Sequence, residues 1–271
     1  MEIIMSICPR RLSVVTAACL LFLAGSQAAQ AVILDWGSVA WAPGSLINSY
    51  DLNGDAVNDV TVQITSQNAN IWQTDPTSGM QTPVVNQTLT GGLVPAQNSL
   101  MLAANLHTNS NSTVQISFTG ASGFLANNVS FTLFDIDVTT NSDIISSIYG
   151  VAPDGTQVAA TITNVGPAVT LSGSGLTYKL TGNAASPDNS GNGNATISFG
   201  STISDVFFTF GNTAGAPRYQ DIAIGDVSFT PVPEINPAAT ATGSCLVAFG
   251  LTLAARKRAK NKASRLDAAQ S

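Results

Sequence analysis

Between Val32 and Thr230 the chain has no cysteine, no glutamate and only two basic residues, Lys179 and Arg218. Each absence removes a class of protein. Without cysteine there is no disulfide framework, thiol nucleophile or thiolate metal site in this stretch. Cys8, Cys19 and Cys245 all fall in the hydrophobic end segments. Without glutamate, and with charged residues at only 10% of the whole chain, the usual material of solvated helix surfaces is missing. Thirteen aspartates stand against the two basic residues, leaving this stretch near −11. Such a surface repels phosphate backbones, so no nucleic acid is expected as partner, and anionic lipid is disfavoured equally. One histidine, His107, cannot build a zinc site without cysteine, and no Gly-x-Ser-x-Gly elbow offers a serine nucleophile. His107 therefore reads as a residue of the polar loop Asn105–Asn109.

What is abundant is Gly, Ser, Thr, Asn and β-branched apolar residues, the material of strands and turns. Val114, Ile116 and Phe118 alternate with polar neighbours, as do Val129, Phe131 and Leu133. Ala195, Ile197 and Phe199 repeat the pattern, followed by Val206, Phe208 and Phe210. A two-residue period marks half-buried strands. The runs are bounded by turn clusters such as Thr119–Gly123 and Gly211–Gly215. The expected fold is all-β, a β-sandwich of jelly-roll or lectin-like type over residues 32–230, with a closed barrel as the alternative. Inward positions should include Ile116, Phe118, Phe131, Leu133, Ile197, Phe199, Phe208 and Phe210. Two strands change phase. Phe134 and Ile136 suggest that both faces are covered near the end of one, and a β-bulge at Gly225-Asp226 would reconcile Ile222 and Ile224 with Val227 and Phe229.

The end segments are of another kind. Residues 1–31 read as a secretory signal: Arg10 and Arg11, an apolar run Val14–Ala24, then Ala29-Gln-Ala31, with cleavage after Ala28 as a second option. An uncleaved anchor is the alternative, although the apolar run is short for a membrane. At the other end, Pro231–Pro237 is hostile to helix, and Ala238–Ala255 is eighteen residues without charge. That length suffices for a transmembrane helix, and the basic tail from Arg256 would stay cytoplasmic with the β domain outside. A buried soluble helix is the competing reading of the same span.

The order Val232-Pro233-Glu234, hydrophobic span, then Arg256-Lys257-Arg258 resembles the PEP-CTERM sorting signal of bacterial exported proteins. Ile235 departs from the usual second proline, with Pro237 arriving two residues late. The resemblance covers the last forty or so residues. It implies recognition by an exosortase-type membrane peptidase, and delivery to a cell surface rich in exopolysaccharide, biofilm or floc. Within the β domain, Val129–Asp137, Phe207–Asn212 and Ile224–Phe229 look like segments of a recurrent β-sandwich of bacterial surface proteins and adhesins. That likeness implies ligand or matrix binding and carries no catalytic residues.

Three groups are candidate sites. Asp51, Asn53, Asp55, Val57 and Asp59 place oxygens at positions 1, 3, 5, 7 and 9, the ligand pattern of a calcium loop. Ala56 and Val62 stand where such a loop has glycine and glutamate, so an acidic turn competes with calcium as the reading. Asp135, Asp137 and Asp143 are read first as solvated strand-end carboxylates or caps, then as a cation site, and least as an acid–base pair. Trp36, Trp41, Trp72 and Tyr50 would serve either as a sugar-stacking platform or as core. Together these features favour an exported, non-catalytic adhesion or matrix protein associated with polysaccharide. A secreted glycan-active hydrolase using aspartates and an inert cargo domain are the alternatives.

Overall fold

The computed structural model describes residues 30–67, 71–108, 110–119 and 125–232. The expected signal segment, apart from Gln30 and Ala31, and the expected sorting segment, apart from Pro231 and Val232, lie outside the described residues. So do the motif residues Pro233, Glu234, Arg256, Lys257 and Arg258.

The described chain forms a β-sandwich of two eight-stranded sheets with antiparallel pairing throughout. One sheet, here sheet A, holds β1 (Val32–Leu34), β4 (Val84–Asn86), β5 (Ser99–Leu106), β7 (Leu125–Phe134), β10 (Thr161–Thr163), β13 (Ala195–Phe199), β15 (Arg218–Ile224) and β16 (Val227–Val232). Sheet B holds β2 (Ile47–Tyr50), β3 (Val60–Ser66), β6 (Ser112–Phe118), β8 (Asp143–Val151), β9 (Gln157–Ala159), β11 (Val169–Ser172), β12 (Lys179–Gly182) and β14 (Asp205–Asn212). Two separate sheets replace the barrel alternative. Consecutive strands β5, β6, β7 and β8 pass back and forth between them. Among the described residues there is no α-helix, only short 3-10 turns at Gly175–Thr177 and Gly191–Gly193. None of them is long and apolar enough to cross a membrane.

Strand alternation sets the core. All eight expected inward residues are buried. Phe118 of sheet B meets Phe229 of sheet A at 5.0 Å between ring centroids, and Phe131 stacks on Phe208 at 6.0 Å. Each such ring contributes roughly 1.5–3 kcal/mol by leaving water. Trp36, Trp41 and Tyr50 close one end of this core, with Trp36 edge-on to the other two at 6.1 and 6.3 Å. The Trp36 indole N–H donates to the Gly225 carbonyl at 2.9 Å, and the Trp41 indole N–H to that of Pro83 at 3.2 Å. Burial with satisfied donors makes these three residues core, not a platform. Trp72, half-buried at the margin, bridges to Ala104 of β5.

Sheet A is covered on its outer side too. Met101, Ala103, Ala223 and Phe134 point away from the sandwich and form a second apolar cluster with Val84 and Leu89. A side chain at Gly91 would collide with the Phe134 ring, and its φ of +58° also favours glycine. That close approach lets the 87–98 loop lie flat on the sheet. The bulge expected at Gly225-Asp226 is present, and it divides β15 from β16: Ile224 pairs with Leu133 and Ser228 with Ser130, so three residues lie opposite two of β7. Both flanking strands pair with β7, and the Gly225 amide donates to the Thr132 carbonyl. The bulge advances the phase, so Ile224 and Val227 both face inward.

Candidate functional site

Beyond the Phe134 cluster, the outer face of sheet A changes character. The outward residues of β13, β7 and β16 are Thr196, Thr132, Ser130 and Ser228, and they floor a groove of about 540 Å³. Register places Thr196 beside Thr132, and Ser130 beside both Ser198 and Ser228. Neighbouring strands lie about 4.8 Å apart and alternate residues of one strand about 6.7 Å apart, so the four hydroxyls make a compact polar floor. Thr132 and Thr196 share a 3.0 Å hydrogen bond, and Ser228 donates weakly to the Ser130 carbonyl at 3.3 Å. Leu93 (40% exposed) and Ile33 (54% exposed) form apolar rims, and Asn164 and Asn194 add amides. A second hollow of about 480 Å³, containing Asp35 and Asp51, shares Ile33 and Asp226 with the first. The two together make an extended trough without a cationic residue in its lining. Burial raises Asp226, while the amide of Trp36, donating at 3.0 Å, opposes the shift.

The 51–59 loop joins β2 to β3. Asp51 accepts from the amides of Gly54, Asp55 and Ala56; Asn53 Oδ1 accepts from the Asp55 amide and Asp55 from that of Val57. Asp59, buried, accepts from the amides of Leu52 and Asn53. For Asp51, burial works upward, but the amides of Ala56, Gly54 and Asp55 outweigh it and hold the carboxyl below its ordinary range. The loop thus folds around its own carboxylates, with Val57 exposed at its edge. Among the described residues no group of three or more acidic, histidine or cysteine side chains forms a ready metal cluster.

Asp135, Asp137 and Asp143 are not solvated. All three are buried, at 7%, 4% and 1% exposure, where β7 ends and β8 begins. Asp143 Oδ2 accepts from the Asp137 amide at 3.1 Å, and Asp137 Oδ2 from the Ser186 amide at 2.8 Å. Asp135 Oδ1, Asp143 Oδ1 and the Ser186 hydroxyl are buried without a partner. Burial, then the charges of Asp137, Asp221 and Asp188, pushes Asp135 up to about 8. Burial likewise pushes Asp143 well above the ordinary range and Asp221 to about 6. Asp221, on the outer side of β15, accepts from the Tyr219 hydroxyl at 3.2 Å. It is 78 residues beyond Asp143, so sequence proximity gave no hint of it.

Asp75 shows what a self-sufficient buried carboxylate looks like in the same protein. It is fully buried and accepts from the amides of Thr77 and Ser78, the hydroxyls of Ser78 and Thr88, and the Asn86 amide group. Burial would raise it, but these donors hold it below its ordinary value. His107, at the end of β5, is half-buried and bridges to Ser110. On sheet B, Tyr149 and Phe207 stack at 5.2 Å on the outward side, both half-exposed.

No family model matches the chain, and no curated protein matches it. Among solved structures it is similar to the family 11 carbohydrate-binding module from Clostridium thermocellum in complex with a β-1,3-1,4-mixed-linked tetrasaccharide. That similarity is at 11% identity, over 75% of this chain and 97% of that one, with a TM-score of 0.32. It is also similar to the family 11 carbohydrate-binding module of the cellulosomal cellulase Lic26A-Cel5E of the same organism, at 11% identity, over 78% and 99% of the two chains, with a TM-score of 0.30.

Proposed function

We propose that the protein is an exported, non-catalytic polysaccharide-binding protein of the cell surface or extracellular matrix, and that the trough on sheet A is its binding site. The observation that supports this most is the floor of hydroxyls held on the three adjacent strands β13, β7 and β16. Sugar hydroxyls need short-range donors and acceptors held on a rigid frame, with small apolar rims for their C–H faces. Thr196, Thr132, Ser130 and Ser228 sit on strands and are committed only to weak or mutual hydrogen bonds. The absence of a cation from the lining favours neutral sugars over uronic acids. A glycan-array screen with and without calcium tests the reading. Saturable binding without release of reducing ends supports it, whereas turnover would support the hydrolase alternative.

The same proposal includes the ends of the chain. The precursor enters the membrane once through 238–255, held by Arg256, Lys257 and Arg258, and an exosortase-type peptidase cuts near Pro233-Glu234. The span carries threonines and glycines, which make it marginal as a lasting anchor. Mass spectrometry of the mature protein from its host is the test. Peptides from 262–271 on surface-delivered protein would mean a permanent anchor instead.

A further inference from the structure

We propose that the buried acidic cluster where β7 ends and β8 begins is a calcium site, with Asp135, Asp143 and the Ser186 hydroxyl as its side-chain ligands and Asp137 and Asp221 as flanking charge. A buried carboxylate oxygen without a donor or counter-charge costs several kcal/mol, and native proteins seldom leave one. Here two such oxygens, Asp135 Oδ1 and Asp143 Oδ1, share a neighbourhood with an unpartnered hydroxyl that is 9% exposed. Asp137 links Asp143 and Ser186, its amide donating to Asp143 and its carboxylate taking the Ser186 amide, and Asp135 lies close enough for its charge to act on Asp143. All three unpartnered atoms can act as oxygen ligands, and what the cluster lacks is positive charge. Besides His107, the described residues include only Lys179 and the exposed Arg218 as bases.

Asp75 provides the control. Where a lone carboxylate is meant to stand by itself, this chain surrounds it with hydroxyl and amide donors; around Asp135 and Asp143 it does not. The backbone is also built for the arrangement. Asp135 sits at a φ of +63°, a conformation that costs a non-glycine residue energy. Any side chain at Gly182 would overlap the Asp137 carbonyl, so the Asp137 segment is pressed against β12. No three carboxylates gather at one point among the described residues, so main-chain carbonyls and water must complete the shell. Calcium accepts about six to eight oxygens in irregular geometry and completes its shell with main-chain carbonyls and water, while magnesium demands a near-ideal octahedron.

The full chain, stripped with EDTA near pH 7.5, should gain about 5 °C or more in melting temperature with about 5 mM calcium, and much less with magnesium. Calorimetry should show one saturable site. Asp135→Asn and Asp143→Asn should each abolish the calcium response while raising the melting temperature in EDTA, because a neutral amide avoids the cost of burying a carboxyl that is ionised in the unfolded chain. Ser186→Ala should weaken calcium binding about tenfold and leave the EDTA melting temperature nearly unchanged. Asp51→Ala with Asp55→Ala should leave the response in place. Should either aspartate variant fail to fold, the other and Ser186→Ala still decide. An unmodified chain indifferent to calcium would overturn the proposal and leave the cluster as protonated acids. A response lost in the Asp51/Asp55 variant but kept in Asp143→Asn would overturn it in favour of the 51–59 loop.

Discussion

On sheet B the outward row Gln63, Gln115, Phe207 and Tyr149 lies exposed or half-exposed, whereas on sheet A the outward residues Met101, Ala103, Phe134 and Ala223 are buried beneath the 72–98 region. Both faces come from the same two-residue alternation. What separates them is the residue that alternation delivers to the outside: small apolar groups on β5 and β15, amides and hydroxyls with one aromatic pair on β6, β14 and β8. A face with apolar residues must be covered, and the segment that covers it becomes a wall. Leu93 of that wall, beside the hydroxyl floor, makes a trough where a bare sheet would present only a plane.

The contrast can be broken by mutation. Phe134→Ala should cost about 3–5 kcal/mol in chemical denaturation, because its ring is enclosed and Gly91 cannot fill the space. A loss below about 1 kcal/mol would mean that the loop does not truly cover the sheet. Next in size is a pH effect from the acidic cluster where β7 of sheet A leads into β8 of sheet B. Without calcium, Asp135 and Asp221 hold protons in the folded state that they release when unfolded. Stability should therefore be greatest near the unfolded carboxylate range and fall as pH rises toward about 6 and then about 8. Each proton contributes a slope of at most about 1.4 kcal/mol per pH unit. Asp143→Asn should flatten the part of this curve that its own raised carboxyl contributes, and an unmodified chain whose stability is flat from pH 4 to 8 would contradict it. On the opposite face, Phe207→Ala should cost only about 1 kcal/mol, the value of one half-exposed stacked pair. A loss as large as that at Phe134 would erase the distinction between the faces.

Much of this frame is legible in the chain. The inward positions follow from period two, and the phase changes at Phe134 and Gly225-Asp226 announce a second covered face and a bulge. The site is less legible, for physical reasons. Thr132, Thr196, Ser130 and Ser228 are ordinary outward strand residues, and only pairing across β13, β7 and β16 makes them a floor. Asp135, Asp137 and Asp143 are close in sequence, yet their burial depends on Ser186 and β15, which arrive through tertiary contact. The tryptophans illustrate the converse: Trp36 and Trp41 suit a sugar platform by type, and the carbonyls of Gly225 and Pro83 make them core.

The central claim is that sheet A, not sheet B, meets the polysaccharide. Affinity electrophoresis of the full chain in gels containing the host's own exopolysaccharide tests it most directly. The unmodified chain should be retarded. Ser130→Val with Thr196→Val, which keeps strand shape and removes two floor hydroxyls, should weaken binding about tenfold or more. Tyr149→Ala should bind within about twofold of the unmodified chain. Loss of binding with Tyr149→Ala, and none with the double valine variant, would contradict the account.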